Sequence, residues 1–248
     1  MITSTQNSQV KEWRKLHTKK YRVKTNTFLI EGYHLIEEAL KSGWTIETII
    51  VQQGIELPDW LAEHKYQLID QQVFAAITQT EAPQGIAAVV RIKDSAETLG
   101  NYLLLLDQVQ DPGNLGTMIR TADAAGFSQV VLGKGTVDLY NDKVIRASQG
   151  SIFHIPIIQA DLLEFIPALQ SQTYTVLASA LENAVAYDRI EQLEKVALVM
   201  GNEGSGIAPE ILQLADKCIK IPIYGQAESL NVSIAAGILM YQLRKQNS

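Results

Sequence analysis

Three segments of the 248-residue chain combine residue types at spacings that could do chemistry. DPGNLGTMIRTADAAG (111–126) offers the amide of Asn114 and the guanidinium of Arg120. VMGNEGSGI (199–207) sets Glu203 among three glycines, and IPIYGQAESLNVSIAAG (221–237) carries Ser229 and Asn231. Amide, carboxylate and hydroxyl together make a hydrogen-bonding set, while a guanidinium grips phosphate or ribose oxygens. The glycine loop is no ordinary nucleotide loop. Its glycines stand at 201, 204 and 206, the reverse of the dinucleotide fingerprint, and no Gly-Lys-Ser/Thr follows. Glu203 would repel a phosphate, but it suits a neutral or cationic ligand, or a ribose hydroxyl that needs an acceptor. The alternative is a plain strand-to-helix turn, with Pro209 starting the next helix.

Each segment follows an apolar run, and in parallel sheets ligands bind beyond the carboxyl ends of the strands. The pattern predicts five strands here: YLLLLDQV, QVVLG, YTVLASA, KVALVMG and CIKIPI, with helices between most of them. Asp111-Pro112-Gly113 reads as a turn, with Asn114 the N-cap of a helix over 115–125 that Gly126 closes. Arg120 lies about 150° from that helix's apolar stripe, so it is either an ordinary exposed arginine or one facing a cleft. Ser229 or Asn231 could simply cap the final helix. The first ninety residues read as a small α/β unit with strands NTFLIEG, TIETIIVQ, KYQLID and PQGIAAVVRI and helices HLIEEALKSG and QQVFAAITQ. Residues 93–101 are the linker candidate, which divides the chain into domains 1–95 and 96–248.

Charge is distributed unevenly. The chain carries −6 overall, yet residues 1–24 hold seven basic side chains against one acid. Lys11, Arg14, Lys15, Lys19, Lys20 and Arg22 are therefore candidate contacts to a polyanion, with Trp13, His17 and Tyr21 among them for base stacking. A solvated, frayed N-terminal helix is the alternative. A single cysteine, Cys218, forms no internal disulfide, and neither Cys/His metal spacing nor a Ser-His-Asp order occurs, so no metal is expected. No apolar run is long enough to span a bilayer, and the opening residues do not resemble a signal peptide. A soluble cytoplasmic protein is expected.

Taken in order, the three segments resemble the signature motifs of the SpoU (TrmH-like) family of RNA ribose 2′-O-methyltransferases, of the SPOUT class, from about residue 101 onward. The N-terminal unit is similar, more loosely, to an RNA-binding ribosomal-protein fold of the L30e type. The resemblance implies a parallel-sheet α/β domain with a deep trefoil knot, a homodimer, and S-adenosylmethionine as cofactor. It implies cofactor contacts at Gly201, Ile221 and Leu230, and a catalytic set of Asn114, Arg120, Glu203, Ser229 and Asn231. The expected reaction is methylation of a ribose 2′-hydroxyl, most readily in 23S rRNA. The alternatives are a tRNA methyltransferase and a non-catalytic RNA-binding assembly protein; a dinucleotide-dependent oxidoreductase fails on glycine spacing.

Overall fold

The computed structural model describes residues 1–93 and 99–245. It divides into two compact units, one of Met1–Asp94 with Tyr140–Phe153, the other of Ser95–Leu139 with His154–Ser248. Residues 94–98, the middle of the expected linker 93–101 and the place of the 95/96 boundary, lie outside those described.

In the first unit α1 (Ser8–Lys15) and α2 (Lys19–Thr25) precede β1 (Thr27–Glu31), α3 (Tyr33–Lys41), β2 (Ile46–Gln52), β3 (Tyr66–Ile69), α4 (Gln71–Ile77) and β4 (Ile86–Arg91). The strands order β1-β4-β2-β3, with β4 antiparallel to both neighbours and β3 parallel to β2. The basic N-terminus is not frayed. Asn7 caps α1 by accepting the N–H of Gln9, and Val10, Trp13 and Leu16 are buried with Ile50, Ile69, Phe74 and Ile77. Trp13 is therefore a core residue, unavailable for stacking on bases. His17 is engaged with the Ile77 carbonyl at 2.9 Å.

The second unit is built on β5 (Tyr102–Leu106), α5 (Pro112–Ala124) and β6 (Gln129–Leu132), before the chain contributes α6 (Asp142–Ser148) to the first unit. It continues with β7 (Ile157–Gln159), α7 (Leu162–Ser171), β8 (Thr175–Ser179), β9 (Val185–Ala186), β10 (Val196–Met200), α8 (Pro209–Leu214), β11 (Lys217–Lys220) and α9 (Val232–Lys245). Seven parallel strands order β7-β6-β5-β10-β8-β11-β9. Every residue of β5 and of β10 is buried, because covered faces on both sides favour unbroken apolar runs. The edge strands β7 and β9, three and two residues long, were not expected; runs so short carry no periodicity to read. Helices α7 and α8 pack Ile166, Leu169 and Ile211 against Leu103, Leu105, Ala197 and Val199, and α9 packs along α5. The loops after β5, β8, β10 and β11 thus leave the same, carboxyl-terminal edge of the sheet. No helix among the described residues is long and apolar enough to cross a membrane.

Candidate active site at the carboxyl ends of the parallel strands

A cavity of about 1130 Å³ opens among those four loops. Its wall includes Asn114, Gly201, Glu203, Ile221, Ser229, Leu230 and Asn231, so residues from all three sequence segments share one site.

The N-cap of α5 is Asp111, whose Oδ1 accepts the N–H of Asn114 at 2.8 Å. Asn114 sits in the first turn instead, and its side chain is released for the cavity. Its Nδ2 donates to Glu203 Oε1 at 3.1 Å, and its Oδ1 accepts from Asn231 Nδ2 at 3.0 Å. Asn231 in turn caps α9: its Oδ1 accepts the Ser233 N–H at 2.9 Å and the Ser233 hydroxyl at 2.6 Å. Capping and site-building are thus one role for Asn231. Ser229 lines the cavity with no hydrogen-bond partner among the described residues.

Glu203 also accepts the backbone N–H groups of Gln110, at 3.1 Å, and Asp111, at 3.0 Å. These donors lie at the start of α5, where the helix dipole favours a negative charge. Partial burial works against the ionised carboxyl, but the bonds from Asn114 and the backbone outweigh it and hold the pKa below its ordinary value. The carboxylate is thereby spent within the protein, tying the glycine loop to α5.

The glycine loop is a closed turn organised by Asn202. Asn202 and Gly206 exchange backbone hydrogen bonds at 2.9 and 3.0 Å, and Asn202 Oδ1 accepts the N–H groups of Gly204 and Ser205. A Cβ on Gly201 would collide with the backbone of Gly206 and Ile207, while Gly206 adopts φ +72°, which glycine tolerates without strain. Sequence reasoning missed Asn202 and the buried Asp107, whose Oδ2 accepts the Ala208 N–H at 2.8 Å. Both lay inside or beside the quoted segments. It also missed Glu182, Lys220 and Glu228 on the cavity wall; no local pattern announces them.

Arg120 is not brought to the cavity. It is exposed on α5, outside the lining residues, and pairs with no described residue. Of the basic candidates, Lys11, Arg14, Lys15, Lys19 and Lys20 are exposed. Arg22 is a correction: it is buried, 6% exposed, with Nη1 donating to the Leu16 carbonyl at 2.7 Å, so it holds the α1–α2 turn and is not presented to RNA. Tyr21 lies beneath the ammonium groups of Lys15 and Lys24, 5.2 and 6.0 Å from its ring centre. No cluster of three or more potential metal ligands occurs among the described residues.

Residues 101–241, more than half of the chain, match the family model described as the SpoU rRNA methylase family. The chain belongs to that family. This SpoU methylase also matches, over residues 7–88, the model of the MRM3-like substrate binding domain. It is 49% identical to the 23S rRNA (guanosine(2553)-2′-O)-methyltransferase RlmP of Bacillus subtilis, across 98% of each chain. Two solved structures are similar throughout. An AdoMet-bound rRNA methyltransferase from Sinorhizobium meliloti has TM-score 0.88 and 35% identity over 98% of this chain and 97% of that one. An RNA 2′-O ribose methyltransferase has TM-score 0.86 and 31% identity over 99% and 98%. The Asn114–Glu203–Asn231 network lies within the matched stretch, residues 101–241.

Proposed function

We propose that the protein is an S-adenosylmethionine-dependent methyltransferase acting on a ribose 2′-hydroxyl of 23S rRNA. The observation that carries this is the junction of the three motifs through Asn114, on the wall of one cavity. The 49% identity to the Bacillus subtilis enzyme, along nearly the whole of both chains, supports large-subunit RNA over transfer RNA and makes the equivalent of guanosine 2553 the first nucleotide to examine.

The cavity fits the cofactor chemically. Ile221, Leu230 and Ile207 give apolar walls for a flat base, Lys220 suits a carboxylate, and Glu182 and Glu228 suit positive groups. Gly201, Ile221 and Leu230 would hold it, largely through the backbone. When bound, S-adenosylmethionine supplies a methyl group on a positively charged sulfur. The protein must align the ribose oxygen with that methyl, the hydroxyl proton leaving to water as the oxygen–carbon bond forms and the carbon–sulfur bond breaks. Asn114 and Asn231, locked by each other, orient the ribose, with Ser229 as a further donor or acceptor. Arginine stays protonated, so Arg120 binds phosphate and stabilises negative charge developing on the ribose oxygen.

The exposed position of Arg120 is accounted for by a homodimer, in which its guanidinium serves a site completed by the partner. Ile234, Ile238 and Tyr241 support that reading: they form an exposed apolar stripe at i, i+4 and i+7 along α9. The non-sequential strand order, with β10 between β5 and β8 and β11 between β8 and β9, agrees with the knot that the family resemblance carries. A cytoplasmic location suits an rRNA substrate. The test is tritium transfer from labelled S-adenosylmethionine to RNA lacking the modification. Label at one alkali-resistant linkage of 23S rRNA is the expected result; label confined to transfer RNA, or none at all despite cofactor binding, would overturn the proposal.

A further inference from the structure

The first unit contains a second cavity, of about 260 Å³, lined by none of the residues discussed so far as catalytic, cofactor-binding or RNA-binding. Its wall joins the β1–α3 junction, the segment before β4, and Arg146 near the end of α6. Three acceptor groups on this wall already hold donors. Glu31 accepts the Gln79 N–H at 3.0 Å through one oxygen and the Thr80 hydroxyl at 2.6 Å through the other. Gln84 Oε1 accepts the Tyr33 N–H at 3.0 Å. The Gln149 carbonyl lies 3.1 Å from His34 Nε2, which must therefore carry the proton.

The donors are not satisfied. Arg146 Nη1 donates to Asp142 Oδ2 at 2.7 Å, and this bond fixes the guanidinium while leaving Nε and Nη2 without partners among the described residues. Gln84 Nε2 is in the same condition, held in place through its own carbonyl oxygen. Glu31 adds a negative charge to this wall, but both of its oxygens already hold a donor; the open donors, a guanidinium fixed by Asp142 and an amide N–H, recruit an acceptor-rich anion. We propose that this cavity binds a phosphodiester group of the RNA substrate through Arg146 and Gln84. The site rests on the RNA-methyltransferase reading, and it extends the RNA contact beyond residues 7–88, because Arg146 lies within the stretch that matches the methylase model.

The test compares the full-length wild type with Arg146→Gln and Gln84→Glu in RNA filter binding across a series of salt concentrations. Thermal melts establish that each variant folds, and calorimetry follows S-adenosylmethionine affinity. Arg146→Gln keeps a donor for Asp142, and Gln84→Glu keeps the acceptor for Tyr33. The expected result for Arg146→Gln is RNA binding about tenfold weaker at low salt, with a log–log salt slope shallower by about one. Gln84→Glu also weakens RNA binding, and both variants retain wild-type cofactor affinity. Unchanged RNA affinity and salt slope in the two folded variants would overturn the site while wild-type label transfer still upheld the enzyme. Weakened RNA binding in both, beside a wild type that transfers no label, would support the site in a non-catalytic RNA-binding protein.

Discussion

Glu203 spends its charge on Gln110, Asp111 and Asn114, so its first duty is architectural. The sign of its pH dependence follows from its lowered pKa: the stabilisation is fully present above the ordinary value of 4.5 and is lost as pH falls through the lower folded value. Folding stability of the wild type should therefore hold near neutrality and fall in acid below pH 4.5; Glu203→Gln should be less stable at neutral pH and lack that acid-side loss. Thermal melts across pH decide it. Arg120 is exposed, outside the cavity and bound to nothing described, so the proposed substrate role is tested apart from cofactor binding. Arg120→Ala should lower the rate of methyl transfer by about 10²–10³-fold while leaving S-adenosylmethionine affinity intact. Full activity would remove it from the mechanism.

The turn after β10 closes only because position 201 lacks a Cβ, and Gly201→Ala forces the backbone of Gly206 and Ile207 aside. Loss of cofactor binding, with much of the fold retained by circular dichroism, is the expected outcome. The last helix has two separable faces. Ala236, Leu239, Met240 and Leu243 are buried, whereas Ile234, Ile238 and Tyr241 meet solvent. On the homodimer proposal, Ile238→Asp should give a monomer in light scattering and abolish methyl transfer. Its start is fixed by Asn231, and Asn231→Ala should cost about 1 kcal/mol of stability as a lost cap, together with a loss of activity larger than that stability change explains.

At the scale of the molecule, charge is segregated. The basic residues of α1 and α2 stand on an otherwise acidic chain, and five of the six candidate RNA contacts are exposed. Replacing Lys19 and Lys20 with glutamine should weaken RNA binding at low salt and flatten its salt dependence, since each lost phosphate contact reduces counterion release. Catalytic turnover at saturating RNA should be little changed. The same substitution at Arg22 would chiefly destabilise the α1–α2 turn, because its guanidinium faces inward; a melt distinguishes the two effects.

The sequence by itself determined most of the element order and the presence of three motifs at strand ends, because apolar runs and glycine–proline punctuation are local signals. Asn114, Glu203 and Asn231 stood out only through the ordered resemblance of their three segments to the SpoU motifs, because each segment alone also reads as a plain cap or turn. The tertiary structure decided what those residues do. A choice of cap one turn earlier, at Asp111 and not Asn114, freed the Asn114 amide to bridge residues 89 and 117 positions away in the chain. Trp13 and Arg22 read as surface residues from a run of lysines, yet burial depends on which face of a helix meets the sheet, and that emerges only when α1 and α2 pack. The short strands β7 and β9 exist because neighbours supply their hydrogen bonds. Arg146, distant in sequence from Gln84, shares a cavity with it only through the fold, because long-range side-chain juxtaposition has no local signature.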